Sequence, residues 1–294
     1  MSILLTKDTK VLIQGITGKV GRVQTRWMLD YGTNIVAGVT PGKGGEEVEG
    51  IPVFNTIEEA VEVTGAEASV FFVPPPFVKD TAFQTMDAGI KLIVVVTEHT
   101  PVHDVMAIKE YATDKDVHIV GPTTPGVITV GQAKMGIMPG SMFSPGRVGM
   151  ISRSGTLSYE VSGNLATAGI GQSTVVGLGA DPVVFTSVAE LLEMYEDDPE
   201  TDLVVIVGEV GGLQEEKAAE YIDRWMTKPV IAYIAGLNTP EGKKMGHAGA
   251  IMHGDGRGTA QSKLAIMREV GVKIAKYPSE IVDLIQQHAS DKTG

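Results

Sequence analysis

Lys10-Val11-Leu12-Ile13-Gln14-Gly15-Ile16-Thr17-Gly18-Lys19-Val20-Gly21 decides the fold, because within these residues an apolar run of strand length turns through glycines into the start of a helix. The same succession of strand, Gly- or Pro-rich turn and helix recurs through the first half of the chain. Strands are expected over residues 10–14, 34–39, 68–73, 91–97 and 117–120, and helices over 21–31, 57–64, 78–88 and 103–114. Apolar strands alternating with helices build a parallel sheet wrapped by helices, here a doubly wound, Rossmann-like α/β domain over residues 1–125.

Residues 126–146 belong to a stretch rich in Gly and Pro that begins at Gly121 and has little periodicity of either kind; it reads as a linker with a functional loop at its start. A second α/β domain is expected over 147–294, with strands over 147–152, 173–177, 203–208 and 229–234, helices over 156–168 and 214–226, and 261–270, 272–275 and 279–288 completing it. The halves are alike in architecture only, since no fixed-period repeat links them.

The composition narrows the function. At 294 residues with 43% hydrophobic content, the chain is long enough for two domains with separate cores. Its longest apolar runs, such as Leu92-Ile93-Val94-Val95-Val96, fall short of the roughly 20 residues that span a bilayer, and no basic-plus-apolar leader precedes the first strand. The expectation is a soluble, cytoplasmic protein with no membrane role. Cysteine is absent, which excludes disulfides, thiolate metal sites and thiol nucleophiles, and no metal site is expected. With 36 acidic against 24 basic residues the surface is net negative, which argues against nucleic acid and leaves anion binding to local sites.

Gly15, Gly18 and Gly21 allow close backbone approach, and the N–H groups of the turn and of the helix N-terminus suit a phosphate. The spacing is G-x-x-G-x-x-G, not the dinucleotide G-x-G-x-x-G, and a purely steric turn uses glycine in the same way. The second strand then runs into Thr40-Pro41-Gly42-Lys43-Gly44-Gly45 instead of the acid that holds a nicotinamide cofactor's ribose. A lysine there favours the phosphorylated ribose of coenzyme A, although a solvated loop lysine would read identically. Val73-Pro74-Pro75-Pro76-Phe77 and Thr97-Glu98-His99-Thr100-Pro101 lie where parallel sheets bind ligands, and suit either an adenine or pantetheine arm or rigid connectors.

In the second domain, Ser152-Arg153-Ser154-Gly155-Thr156 joins a strand to a helix whose N–H donors suit a phosphate, and ordinary capping by Ser154 gives the same pattern. Gly246-His247-Ala248-Gly249-Ala250 leaves an imidazole flanked by small residues. Without cysteine, that neutral imidazole is the best phosphoryl acceptor in the chain at neutral pH. Glu209, at a strand end before Gly211-Gly212, suits one ring nitrogen, fixing the tautomer and leaving the other to attack. His99, His103, His118, His253 and His288 read as surface residues.

These residues resemble the alpha subunits of succinyl-CoA synthetase from about Leu5 to the last helix. The resemblance rests on Gly15–Gly18, Val39 to Gly45, Ser152 to Glu160, Gly208-Glu209-Val210-Gly211-Gly212 and Lys244-Met245-Gly246-His247-Ala248-Gly249-Ala250. It implies a Rossmann-like CoA-binding domain followed by a flavodoxin-like α/β ligase domain, and an NDP-forming ligase that interconverts succinyl-CoA, phosphate and NDP with succinate, CoA and NTP in the citric acid cycle. Phosphate attacks the thioester, the acyl phosphate passes its phosphoryl group to His247, and the phosphohistidine charges ADP or GDP. The resemblance further implies that Thr17, Gly18, Lys19, Val20, Lys43, Val96, Thr97 and Glu98 line the CoA site and that Ser154 and Gly155 hold the phosphoryl group. Tyr159 sits near the acyl substrate, with Thr124 and Pro125 in the loop at its acyl end, and Glu209 orients His247. A beta subunit, in an αβ or α2β2 assembly, supplies a second such helix, the nucleotide (ATP/ADP or GTP/GDP) and magnesium.

The chain departs from the family at Thr123-Thr124, where Asn-Cys is usual, and at Ala180, where a second glycine is usual. The first departure lies near the acyl end and leaves open an alpha subunit for malate, acetate or another acid. A non-catalytic CoA- or nucleotide-sensing Rossmann protein is the alternative from another class, opposed by the His247–Glu209 pairing. A nicotinamide dehydrogenase is opposed by the missing acid.

Overall fold

The computed structural model describes residues 2–239, 247–251 and 256–291. The chain divides into two compact units, one of Leu4–Met138 with Val183–Thr186, the other of Pro139–Pro182 with the described residues before Leu4 and from Ser187 onward. No helix among the described residues is long and apolar enough to cross a membrane.

The first unit runs β1 (Val11–Gln14), α1 (Lys19–Tyr31), β2 (Ile35–Val39), β3 (Glu47–Val48), β4 (Ile51–Phe54), α2 (Ile57–Thr64), β5 (Ala68–Phe71), α3 (Val78–Asp87), β6 (Leu92–Val95), α4 (Val102–Ala112), β7 (His118–Val120), β8 (Gly126–Thr129) and β9 (Ala133–Gly136). Its main sheet has the order β3-β4-β2-β1-β5-β6-β7, parallel apart from the short β3–β4 pair. Helices cover both faces, so β1, β5 and β6 are buried throughout and are predominantly apolar, with Gln14 and Ser69 the polar exceptions. The chain leaves β1 toward β2 on one side and reaches β5 on the other. That reversal opens a crevice at the carboxyl end of β1.

The stretch expected from composition to be a linker over 126–146 holds a strand hairpin in its first half, and the boundary between the two units falls within it, after Met138. β8 and β9 pair antiparallel in register Gly126↔Gly136 and Val127↔Met135, and both belong to the first unit. The glycines are needed for contact: a Cβ on Gly126, at φ +111°, would stand 2.0 Å from the Met135 carbonyl oxygen. Thr129 Oγ1 donates to the Leu5 carbonyl at 2.6 Å and Thr33 Oγ1 to the Lys134 carbonyl at 2.8 Å, tying the hairpin in place. Residues 183–186 also join this unit, with Phe185 in its core and Thr186 Oγ1 donating to the Ile119 carbonyl at 2.6 Å.

The second unit runs β10 (Pro145–Ser152), α5 (Gly155–Thr167), β11 (Gln172–Gly177), α6 (Val188–Asp197), β12 (Leu203–Glu209), α7 (Gln214–Trp225), β13 (Val230–Ala235), α8 (Ala260–Glu269), β14 (Lys273–Ala275) and α9 (Glu280–Asp291). These strands are parallel in the order β14-β13-β12-β10-β11, which in chain order is the flavodoxin-like 2-1-3-4-5. Its switch point falls between β10 and β12.

Candidate active site

β10 and β12 lie side by side at that switch point, so the residues that follow them meet. After Ser152, the Arg153 N–H donates to the Val207 carbonyl at 3.0 Å, keeping the two strands paired to their ends. Ser154 caps α5, its Oγ accepting from the Leu157 N–H at 3.4 Å, and Ser152 Oγ fixes the turn by donating to the Ser154 carbonyl at 2.7 Å. Gly155 opens the helix with no side chain above the first N–H groups. A helix end of this form presents donors and positive partial charge to an anion. Tyr159, one turn further along α5, is half-buried, and burial raises its phenol above the ordinary range.

Glu209 ends β12 and His247 comes to it. His247 Nδ1 lies 2.6 Å from Glu209 Oε2; the histidine side chain is 42% exposed and the glutamate 8%. A carboxylate can only accept, so the short contact places a proton on Nδ1 and turns the Nε2 lone pair outward. Small residues are required to bring the segment in. Gly249 donates its N–H to the Ala180 carbonyl at 2.7 Å, and a Cβ there would stand 2.7 Å from the Asp181 carbonyl oxygen. Ala180, one of the departures noted above, makes this contact through its backbone. Lys244, Met245 and Gly246 of the motif, like His253, lie outside the described residues.

Beneath the pair lies a buried set of charges that motif reading does not find. Arg153 Nη2 stands 3.5 Å from Glu209 Oε1, while its Nη1 donates to the Glu209 and Gly211 carbonyls at 3.0 and 2.9 Å and to Glu215 Oε1 at 3.0 Å. Glu215, fully buried in the first turn of α7, also accepts from the Glu209 N–H at 3.1 Å and pairs with the fully buried Lys263 of α8. Lys263 reaches Glu216 Oε2 at 2.8 Å as well. Burial pushes both Glu209 and Glu215 upward, but the outcomes differ. Glu215 faces two cations, Arg153 and Lys263, and ends below the usual carboxylate range. Glu209, against Arg153 and His247 with Glu215 nearby, stays above it.

In the first unit, Gly15 takes φ +75° and Gly18 caps α1 without any side-chain hydrogen bond. Lys19 and Val20 are exposed at the first turn of α1, and the Thr17 hydroxyl donates to Thr40 Oγ1 at 3.1 Å. Gly21 is fixed by sterics, since a Cβ would stand 2.3 Å from the Gly15 carbonyl oxygen. Lys43 is about half exposed and pairs with Glu46 at 3.0 Å. Half-buried Val96 leads into Thr97, whose hydroxyl donates to the Val73 carbonyl at 2.8 Å and whose carbonyl accepts the Thr123 N–H at 3.2 Å; Glu98 is exposed. Thr124 and Pro125 are buried, with Thr124 Oγ1 accepting the Gly126 N–H at 2.8 Å. A cleft of about 540 Å³ opens beside Gly15, Thr40, Pro41 and Pro74, with Asn55, Phe77 and Gln84 further along its wall. That volume suits a small organic ligand. His99, His103 and His118 are exposed, as expected, and His288 is half-buried.

Comparison with known proteins agrees with this geometry. Residues 6–99 match the CoA binding domain family and residues 151–272 the CoA-ligase family. The ADP-forming succinate–CoA ligase alpha subunit of Aquifex aeolicus is 52% identical over 287 residues, 97% of this chain and 94% of its own. That of Methanothermobacter thermautotrophicus is 53% identical over 284 residues, 97% of this chain and 96% of its own. ATP citrate lyase of Methanosaeta concilii, in complex with (3S)-citryl-CoA, shares the fold at TM-score 0.89 and 23% identity; the match covers 97% of this chain and 50% of that one. The two domains are those of a CoA ligase. Within that class, the chain belongs to the family of succinate–CoA ligase alpha subunits.

Proposed function

We propose that this chain, with a beta subunit, interconverts succinyl-CoA, phosphate and a nucleoside diphosphate with succinate, CoA and the triphosphate, and that His247 carries the phosphoryl group between the half-reactions. The contact of 2.6 Å between His247 Nδ1 and Glu209 Oε2 carries this reading. In the forward direction phosphate displaces CoA thiolate from the thioester, leaving succinyl phosphate. The Nε2 lone pair of His247 then attacks phosphorus, the P–O bond to succinate breaks, and succinate leaves as a carboxylate. The ring becomes positive as Nε2 bonds to phosphorus, and Glu209, already accepting from Nδ1–H, opposes that charge without reorganising. The N-terminus of α5, at Ser154 and Gly155, offers donors to the phosphoryl oxygens.

CoA is assigned to the first unit: the turn at Thr17, Gly18, Lys19 and Val20 for phosphate, Lys43 for the ribose phosphate, and Val96, Thr97 and Glu98 beside the arm. Tyr159, Thr124 and Pro125 are assigned to the acyl end. The beta subunit would hold magnesium and ADP or GDP and complete an αβ or α2β2 enzyme. The citric acid cycle is the corresponding metabolic setting. The test is to incubate the assembled enzyme with succinyl-CoA and labelled phosphate and to map acid-labile, base-stable label. Label on His247 that leaves on adding ADP or GDP supports the proposal; absence of label with CoA still bound overturns it. Malate and acetate, assayed beside succinate, test whether Thr123-Thr124 changes the acid.

A further inference from the structure

The charges beneath His247 alternate in sign. From α8 inward, Glu216 and Glu215 of α7 flank Lys263, with Glu216 Oε2 at 2.8 Å and Glu215 in direct contact. Glu215 Oε1 meets Arg153 Nη1 at 3.0 Å, Arg153 Nη2 faces Glu209 Oε1 at 3.5 Å, and Glu209 Oε2 meets His247 Nδ1 at 2.6 Å. Arg153, Glu209, Glu215 and Lys263 are all nearly or fully buried. So costly an arrangement is weak evidence for stability, because apolar side chains of similar volume commonly serve a core as well or better.

Its position gives it another use. Glu209 Oε1 accepts no hydrogen bond among the described residues. The ion pairs of Glu209 there are with Arg153 and His247 alone. Arg153 is therefore the permanent cation beside the carboxylate that must remain an acceptor. How strongly its field acts on Glu209 depends on how much of it Glu215 offsets, and that depends on Lys263. The guanidinium also immediately precedes Ser154 and Gly155 and bonds the carbonyls of Glu209 and Gly211, so it sets the carboxylate and the helix N-terminus in one frame.

We infer that Arg153, Glu215 and Lys263 are positioning residues for phosphoryl transfer: a buried chain of alternating charge, anchored on α8, that keeps Glu209 anionic and aimed at His247 Nδ1. This rests on the reading of His247 as the phosphoryl carrier. The charged groups facing Glu209 are Arg153 from the end of β10, Glu215 from α7 and His247 itself, with Lys263 and Glu216 acting through Glu215. A change in the fixed charge around Glu209 moves its titration with a definite sign: losing a cation raises it and losing an anion lowers it.

The test uses the enzyme assembled with its beta subunit and measures the pH dependence of His247 phosphorylation. Lys263→Met removes a positive charge, leaves Glu215 to offset more of Arg153, and is expected to move the acid limb to higher pH and slow phosphorylation near neutrality about tenfold. Glu215→Gln removes the opposing negative charge and is expected to move the limb to lower pH. Lys263→Arg, which keeps the charge, is expected to retain the wild-type limb. Shifts of opposite sign are not produced by loosened packing, so they support the inference. Equal loss of rate in Lys263→Met and Glu215→Gln with an unmoved limb overturns it. If Lys263→Met does not assemble, Glu215→Gln decides by its sign alone. A wild-type enzyme that takes no label on His247 rejects the carrier reading instead, which keeps the two failures apart.

Discussion

At the carboxyl end of β12 the His247–Glu209 pair stands on buried charge, with Glu209 only 8% exposed and Arg153, Glu215 and Lys263 behind it. At the carboxyl end of β1 the corresponding turn offers backbone N–H groups and exposed side chains, with Gly18 capping α1 unaided and Lys43 about half exposed in a surface ion pair. Both are switch points of parallel sheets, yet they suit different tasks. Forming and breaking a P–N bond develops charge at one atom and calls for fixed dipoles and charges in a site of low dielectric. Holding a large, reversibly bound ligand calls for close backbone approach and solvated charge that releases as readily as it binds.

The sharpest break between the regions is expected from His247→Ala. Label incorporation should vanish and turnover fall by at least roughly a thousandfold, while CoA binding, measured by calorimetry, stays unchanged. A parallel loss of CoA binding would show that the two regions do not act separately. Glu209→Gln should cost less, about a hundredfold in phosphorylation rate, because the amide oxygen still accepts from Nδ1–H while the charge is gone. The pH profile carries the sign. Burial raises Glu209, with Arg153 and His247 opposing, so the active carboxylate is present above this raised pKa and lost as pH falls through it. Glu209→Gln has no carboxylate to titrate, so the part of the acid limb that Glu209 sets should be absent from its profile, and a limb identical to that of wild type would contradict the pairing.

Much of this was legible in the sequence wherever buried strands announce themselves. β6 is an unbroken apolar run and β1, β5 and β12 each carry a single polar side chain among apolar and small residues, while Glu209 and His247 stand out through the strand end and the small residues around them. β3 and β4 escape because they span two and four residues, with Gly50 between them at φ +79°. α6 lies outside the elements expected from periodicity, although Ser187 and Glu190 form a capping box ahead of Leu191 and Leu192, a local signature of a helix start. The hairpin of β8 and β9 is hidden because its glycines serve close strand contact and resemble linker composition. Lys263 leaves one trace, a charge in the buried stripe Ala260, Lys263, Leu264, Met267. Its partner Glu215 lies 48 residues earlier, and that pairing is set by tertiary packing.

Gly21→Ala tests the first region by sterics. The new Cβ would stand 2.3 Å from the Gly15 carbonyl oxygen, so the turn and α1 must separate, at an overpacking cost of about 1–3 kcal/mol. If half of that falls on the bound turn, CoA affinity drops roughly two- to tenfold. Phosphorylation of His247 from ATP or GTP, which needs no CoA, should proceed at the wild-type rate. A loss of both would mean that the turn supports the second region too.

Lys43→Ala should have the smallest effect. The Lys43 side chain is 52% exposed and already paired with Glu46, so its interaction with a ligand phosphate is screened and resembles a surface ion pair, worth about 0.2–1 kcal/mol. The Michaelis constant for CoA should rise by at most about fivefold at low ionic strength, with turnover unchanged because the bond-making steps lie elsewhere. Near 1 M salt, where the Debye length is about 3 Å, the difference should disappear. Dephospho-CoA, which lacks the phosphate on the ribose, should show no difference between Lys43→Ala and wild type at any salt. A penalty that persists with dephospho-CoA would mean that Lys43 holds the shape of the 40–45 loop through Glu46, and the charge contrast between the two regions would then need to be drawn from the backbone donors alone.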